Sequence, residues 1–251
     1  MILTIASGEL RRMFYTPLAW AILAVVLLVL GLLFLFLVDN YINIIQPQLM
    51  GVLGAPGVTD TVLAPVLFWA GVVMLAVSPL LTMRSFSEER ALGTLTLLTS
   101  APLSVTEIVL GKYLSLLIFT LALLSLIALM PLSLLGGTQL DWGKFAAGML
   151  GLFLMIASFL AAGLYISAQV RTPLIAAVAS FGLLMLLVVL YMSGSAEGTA
   201  SELFIYLSHF GHFLSFVQGL FDSSDLIYYL LFSAAFLILT IRRLDNERLA
   251  R

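Results

Sequence analysis

Two histidines three residues apart are the side chains of this chain with the clearest potential for chemistry. His209 and His212 would share one turn of a helix beside Ser208, and this grouping could ligate a metal ion or form an intramembrane hydrolase centre. A metal site usually needs a third ligand at a defined spacing, whereas a histidine pair in an apolar segment more often anchors it through hydrogen bonds. We therefore favour the anchor and keep the hydrolase as an alternative. The acidic residues nearby in sequence are Glu202, Asp222 and Asp225.

Nucleotide chemistry is not expected in this chain. Gly111 with Lys112 and Gly143 with Lys144 are its two Gly-Lys pairs. Neither pair has a glycine five residues before its own glycine or a Ser or Thr after its lysine, and a P-loop requires both. The sequence therefore predicts no catalytic residue and no cofactor here: either ATP with its magnesium is bound by another polypeptide, or the protein does not use ATP. Because the chain has no cysteine, disulfides and cysteine-based metal sites are also excluded.

The composition is that of an integral membrane protein. Hydrophobic residues make up 62% of the chain and charged residues 10%, whereas a soluble domain carries about 25% charged residues. The net charge of -2 gives no basic surface for nucleic acid. The chain is therefore expected to be one membrane domain over residues 1–251.

Charge-free windows predict six membrane-spanning helices. A helix needs about 20 apolar residues to cross the hydrocarbon core, and unbroken apolar runs favour helices over a barrel. The windows are 17–38, 61–83, 113–135, 145–170, 172–192 and 226–241, the last being short and expected to extend into its flanks.

The positive charges predict the orientation. Ten of the 11 lysines and arginines lie at the two termini and in the loops between windows two and three and windows four and five. The opposite loops hold one positive residue, Lys144, and seven of the 13 acidic residues. Positive residues concentrate on the cytoplasmic side, so we expect a multi-pass protein of the cytoplasmic (inner) membrane with both termini in the cytoplasm.

The first 16 residues predict an interfacial helix. Thr4, Gly8, Arg11 and Arg12 would form its polar face and allow it to lie in the headgroup layer, and Pro17 permits a bend into the first span. The residues of the expected apolar face are Leu3, Ala6, Leu10, Met13 and Phe14.

Two outer segments are expected to be more than linkers. Residues 40–59 contain prolines, glycines and polar side chains, which predict an irregular or interfacial excursion. Residues 203–222 are apolar and aromatic but are interrupted by His209, His212 and Gln218, which is typical of an outer re-entrant or interfacial segment.

The loop at 84–106 is unusually rich in helix signals. Ser85 and Glu88 have the spacing of a capping box, which would start a short helix ended by Gly93, and Ser104 with Glu107 forms a second box that would start the third span. The leucines between them leave apolar surface for a partner. Docking is favoured over an ordinary connection, because connections are usually only a few residues long.

An ion-coupled secondary transporter is a further alternative. Such carriers place ionisable groups inside their spans, and the cores of the six windows contain none. This absence favours an externally powered protein.

The sequence resembles the permease subunits of type-2 ABC exporters. The resemblance rests on 83–102 (MRSFSEERALGTLTLLTSAP) followed by 106–112 (TEIVLGK), which are similar to the coupling region of that family. More narrowly, 140–143 (LDWG), 165–168 (YISA), 206–210 (YLSHF) and 219–222 (GLFD) resemble the gliding-motility-associated, GldF-type branch.

The resemblance implies an all-α permease with six spans, an N-terminal elbow helix at 1–16, a cytoplasmic coupling helix within 84–106 and an outer re-entrant segment at 203–222. It implies a dimer of permeases, coupled to a cytoplasmic ABC ATPase subunit, and in this branch a companion membrane subunit with a periplasmic domain. The ATPase-coupling residues that it implies are Phe86, Glu88, Glu89, Arg90, Gly93, Thr94 and Leu95.

Overall fold

The structure is a computed structural model that describes residues 1–49, 56–94, 103–138, 140–194 and 208–249. These residues are predominantly helical and contain no strand. The helices are α1 Ile2–Tyr15, α2 Pro17–Asn40, α3 Ala64–Thr82, α4 Ser87–Ala91, α5 Val105–Leu132, α6 Trp142–Gln169, α7 Pro173–Gly194, α8 His209–Val217 and α9 Ser223–Leu249. The predicted all-helical fold is confirmed over the described residues.

Five helical stretches of the described part are long and apolar enough to cross a membrane, namely Pro17–Gln48, Thr59–Ala91, Val105–Gly136, Trp142–Gln169 and Ser223–Arg248. They contain or overlap five of the six predicted windows. The fifth window coincides with α7, whose stretch Pro173–Val189 is a shorter apolar helix. The chain is therefore a multi-pass membrane protein, and the span at 172–192 stays a prediction.

The first outer segment is more helical than predicted. After α2 the helix continues through a π-helical turn, Tyr41–Ile45, and a final turn, Gln46–Leu49, and a second π-helical turn, Thr59–Leu63, leads into α3. The Asn43 side chain donates to Asp39 Oδ1 one turn earlier at 2.7 Å, which supports the continuation. The irregular conformation predicted from residue 40 is wrong up to Leu49, the interfacial alternative stays a prediction, and residues 50–55 lie outside the described part.

The N-terminal helix packs on the bundle mainly with the predicted apolar face. Ala6 is buried and Leu10, Met13 and Phe14 are partly buried against the core, as is Ile5, whereas Leu3 of the predicted face is 74% exposed. A Cβ added to Gly111 of α5 would come within 2.7 Å of Ile5, so this glycine lets α1 approach α5 closely. Thr16 is extended and Pro17 begins α2, which confirms the predicted bend.

Helix α6 forms the centre of the bundle. It packs against α9, α3, α8, α7 and α5, and Leu152, Met155 and Phe159 on it are fully buried. Gly151 lies directly under Phe216 of α8, where an added Cβ would meet the Cβ of Phe216 at 2.4 Å. Small residues therefore fit α8 tightly to α6, as packing between membrane helices requires.

The two ends of the bundle differ in charge. At one end, α4 meets α1, the start of α5 and the last turns of α9 through ion pairs, and it meets the last turns of α6 through a hydrogen bond. We call this the basic end. At the opposite end Lys144, at the start of α6, pairs with Asp60 in the π-helical turn before α3, and His212 of α8 pairs with Asp225 at the start of α9.

Candidate functional site

The short helix α4 begins in a way that the sequence did not predict. The residue before it, Phe86, makes no side-chain cap, so the capping box proposed for Ser85 and Glu88 is wrong. Ser167 of α6 caps the helix instead, because its Oγ accepts the backbone N–H groups of Phe86 at 3.1 Å and Ser87 at 3.2 Å. A distant hydroxyl satisfies amides that are otherwise unpaired at a helix start.

The end of α4 follows the prediction. Leu92 closes the helix and Gly93 takes a φ of +73°, a left-handed conformation that glycine adopts at helix ends without strain. Leu92 is 69% exposed, and the Thr94 hydroxyl donates to the Glu89 carbonyl at 3.3 Å. The chain beyond α4 therefore starts with apolar and small residues on the surface.

A buried lysine joins three elements at the basic end. Lys112 of α5 is only 2% exposed, and its Nζ lies 2.6 Å from Glu9 Oε1 of α1 and 2.6 Å from Glu89 Oε1 of α4. The same Nζ lies 5.3 Å from the ring centre of Phe86, which is fully buried. Two carboxylates and an aromatic face compensate for the lost hydration of the ammonium group.

A second contact ties α4 to the far end of the chain. The Arg90 guanidinium makes two hydrogen bonds to the Glu247 carboxylate of α9, at 3.0 and 2.9 Å, and also donates to the Ala168 carbonyl of α6. Such a paired geometry fixes direction as well as distance. Nearer the surface, Glu88 accepts from Arg12 of α1 at 3.0 Å. The five residues of α4 are thereby linked to α1, α5, α6 and α9.

The second predicted capping box is confirmed. Ser104 Oγ accepts the Glu107 N–H at 3.2 Å, and Glu107 Oε2 accepts the Ser104 N–H at 3.1 Å, so α5 begins at Val105. Arg248 of α9 donates to the Leu103 carbonyl at 3.2 Å. The two described parts of segment 84–106, namely 84–94 and 103–106, are therefore both attached to α9, the first through Arg90 and the second through Leu103.

The structure places the predicted coupling residues in two groups. Phe86, Glu89 and Arg90 are buried or largely buried and bond within the chain, with Glu88 partly exposed beside them. Gly93 and Thr94 are exposed. Leu95 lies outside the described residues. The structure thus gives the charged residues an internal role, and their role towards a partner stays a prediction.

Sequence reasoning missed the residues that hold α4 from outside. Ser167 and Glu247 contact α4 directly, and Glu9 acts through Lys112. The predicted windows leave Lys112 in the loop, although it lies within α5. No periodicity reveals pairs so far apart in the chain. One signal was available, because Gly111 next to Lys112 at a helix start indicates a close neighbour able to pair with the lysine.

The two histidines fasten α8 to α9. His212 Nδ1 lies 2.6 Å from Asp225 Oδ1, and His209 Nδ1 lies 2.8 Å from the Tyr228 hydroxyl. The His209 ring also stacks on Phe159 of α6. Among the described residues no group of three potential metal-ligating side chains meets. The contacts correspond to the anchoring interpretation, and Glu202 lies outside the described part.

Aspartates cap two of the long helices on the same side. Asp141 accepts the N–H groups of Gly143 and Lys144 at the start of α6, and Asp222 accepts the Ser224 N–H at 2.9 Å at the start of α9. The hydrogen bond from the Ser224 N–H lowers the pKa of Asp222. These aspartates stabilise helix starts, which is their commonest role at such positions.

Comparison with known families gives one match. The family model described as "ABC-2 family transporter protein" matches residues 59–242, which is more than half of the chain and runs from the start of α3 to the last turns of α9. Comparison with curated proteins gives no match. Members of the matched family are generally non-catalytic membrane subunits and normally work with an ATPase subunit. The chain, with its apolar helices and the matched region that includes α4, therefore belongs to the ABC-2 transporter family.

Proposed function

We propose that this chain is the permease subunit of an ABC exporter and that a separate cytoplasmic ATPase subunit docks on segment 84–106. The observation that carries the proposal is the attachment of α4: a helix of five residues is linked by charged contacts to α1, α5, α6 and α9. A partner that moved α4 would pull on several helices at once. An ordinary connecting loop has no need of such links.

The exposed and the buried residues of the segment have different roles in this proposal. Leu92, Gly93 and Thr94 are exposed and, with the following leucines, form the surface that the ATPase touches. Phe86, Glu89 and Arg90 hold α4 to the bundle and transmit its movement. Apolar residues that become buried give an interface its affinity, and rim charges such as Glu88 favour the correct approach.

The arrangement in the cell follows from the same proposal. The basic end faces the cytoplasm of the inner membrane with both chain termini, α1 is the elbow helix, and α8 belongs to an outer re-entrant segment before the sixth span. The permease acts as a dimer with a second copy or a homologous permease. ATP and magnesium bind to the ATPase, and the GldF-type branch adds a companion subunit with a periplasmic domain.

Cross-linking tests the docking surface directly. The chain has no cysteine, so single cysteines carry a cross-linker without further changes. We expect Leu92→Cys and Thr94→Cys to cross-link to a co-expressed ABC ATPase. The matched control is Ile42→Cys, which is 54% exposed at the opposite end of the first span and should give no product.

Two results would contradict the proposal. Cross-linking at Ile42→Cys as efficient as at Leu92→Cys would mean that contact with the ATPase is unspecific. A complex that co-purifies undiminished after Leu92→Asp combined with Thr94→Asp would place the docking surface elsewhere.

A further inference from the structure

A cavity of about 130 Å³ opens at the basic end between α1, α2, α3 and α5. Its polar lining includes Arg12, Arg84 and Ser85, together with Lys112 of the buried group described above. The rest of its wall is mainly apolar. The apolar residues are Met13, Leu18, Ala19, Ile22, Leu80, Leu81 and Leu116. One small space thus joins cationic groups to an apolar wall.

The charges of this cavity are unequally neutralised. Glu9 and Glu88 also line it, but Glu9 is bound to Lys112 and Glu88 to Arg12. Arg84 is exposed, and among the described residues no carboxylate lies within ion-pair distance of it. The guanidinium of Arg84 is therefore the cation available to a ligand.

The neighbouring residues place the cavity at the depth of lipid headgroups. Trp20 is 59% exposed and donates its indole N–H to the Phe14 carbonyl at 2.9 Å. Tyr15 is exposed and accepts from Arg11 at 3.1 Å. Amphipathic aromatic residues of this kind concentrate at the membrane–water interface. The apolar wall, made mainly by turns of α2 and α3, then faces the acyl region.

We propose that this cavity binds the phosphate of an anionic phospholipid from the leaflet at the basic end. Arginine forms paired hydrogen bonds with phosphate, and basic pockets between membrane helices bind anionic headgroups. A cavity of about 130 Å³ is too small for a whole lipid. The phosphate and the first carbons enter, and the acyl chains stay in the bilayer along α2 and α3. The proposal does not depend on the ATPase.

Native mass spectrometry of the full chain in detergent tests the site with phosphatidylglycerol as the probe. We expect Arg84→Gln to weaken binding about tenfold, because the charge-assisted hydrogen bond from the guanidinium to the phosphate is lost. The control is Arg11→Gln, which removes the same charge from the exposed side of α1 outside the cavity and should bind as the wild type. A second variant, Ala19→Leu, fills the apolar side and should also weaken binding.

Each remaining outcome decides for or against the site. Phosphatidylcholine should bind at least about tenfold more weakly than phosphatidylglycerol, since its headgroup carries no net negative charge. Inorganic phosphate at the same concentration should not displace the lipid. Equal losses in Arg84→Gln and Arg11→Gln would overturn the proposal by showing a general charge effect, and full displacement by inorganic phosphate would overturn it by showing a small-anion site.

Discussion

The two ends of this bundle each hold a short helix, but they do so with different chemistry. At the basic end α4 is held by charged side chains from elements far apart in the chain, among them Arg12, Lys112 and Glu247. At the opposite end α8 is held mainly by rings, because six of its nine residues are buried and His209 stacks on Phe159. Packed rings resist displacement in every direction. An ion pair holds its two groups along one direction, and either group can change to another charged partner. The difference supports our proposal that α4 moves together with the helices that hold it while α8 stays in place.

The largest effect is expected from the buried lysine. Lys112→Met leaves Glu9 and Glu89 without their cation, and we expect the free energy of unfolding in detergent to fall by about 3 kcal/mol. The matched control is Lys144→Met, which breaks a pair of the same 2.6 Å length whose lysine is 32% exposed. That variant should lose less than about 1 kcal/mol. Equal losses would remove the distinction between a buried and a surface pair.

A smaller loss is expected at the opposite end. Asp225→Ala removes the carboxylate next to His212, and we expect the free energy of unfolding to fall by about 2 kcal/mol. The aromatic packing of α8 remains, which limits the loss. Asp39→Ala, at an exposed aspartate on the same side of the membrane, is the control and should change stability by less than about 0.5 kcal/mol. An unchanged stability in Asp225→Ala would show that the rings alone hold α8.

The geometry of the Arg90 contact can be separated from its charge. Arg90→Lys keeps the charge but loses the paired hydrogen bonds to Glu247, and we expect a loss of about 1 kcal/mol in unfolding free energy. The control, Arg243→Lys, changes another arginine that contacts the same Glu247 from within α9 and should have almost no effect. In the complex with the ATPase, Arg90→Lys should also reduce the stimulation of ATP hydrolysis by the permease. Equal losses of unfolding free energy in Arg90→Lys and Arg243→Lys would show that the paired geometry of the Arg90 contact does not matter.

The smallest effect is expected from the outermost pair. Arg12 and Glu88 are 47% and 31% exposed, so Arg12→Gln should lower the free energy of unfolding by about 0.5 kcal/mol or less, and the difference should vanish in high salt. Unfolding of the wild type and of Arg12→Gln at low and at high sodium chloride measures this difference in stability. A loss close to that of Lys112→Met would mean that exposure does not rank the contacts of α4.

Local signals in the sequence predicted the local structure well. The bend at Pro17, the capping box at Ser104 and the glycine ending of α4 depend on residues close in the chain, and each is present. Segregation of charge also indicated which chain segments meet at the basic end. Such features follow from the backbone preferences of single residues and from the cost of charge in lipid.

The errors arose where a distant residue competes with a local one. Ser85 and Glu88 have the spacing of a cap, but Glu88 is bound to Arg12 and Ser167 caps α4 instead. Likewise Leu3 fits the predicted apolar face but is exposed, whereas Ile5, which the prediction left out, packs against Gly111. Pairings of this kind depend on the packed bundle, and no pattern along one chain contains them.

Distances between spin labels test most directly whether α4 moves together with the helices that hold it. Cysteines replace the exposed residues Leu92, Ser7 of α1 and Asn246 of α9, with Ile42 as the reference at the opposite end. In the complex with the ATPase, we expect that addition of ATP leaves the Leu92–Ser7 and Leu92–Asn246 distances unchanged while the Leu92–Ile42 distance changes. A shift in either of the first two distances on ATP addition, with Leu92–Ile42 constant, would contradict it.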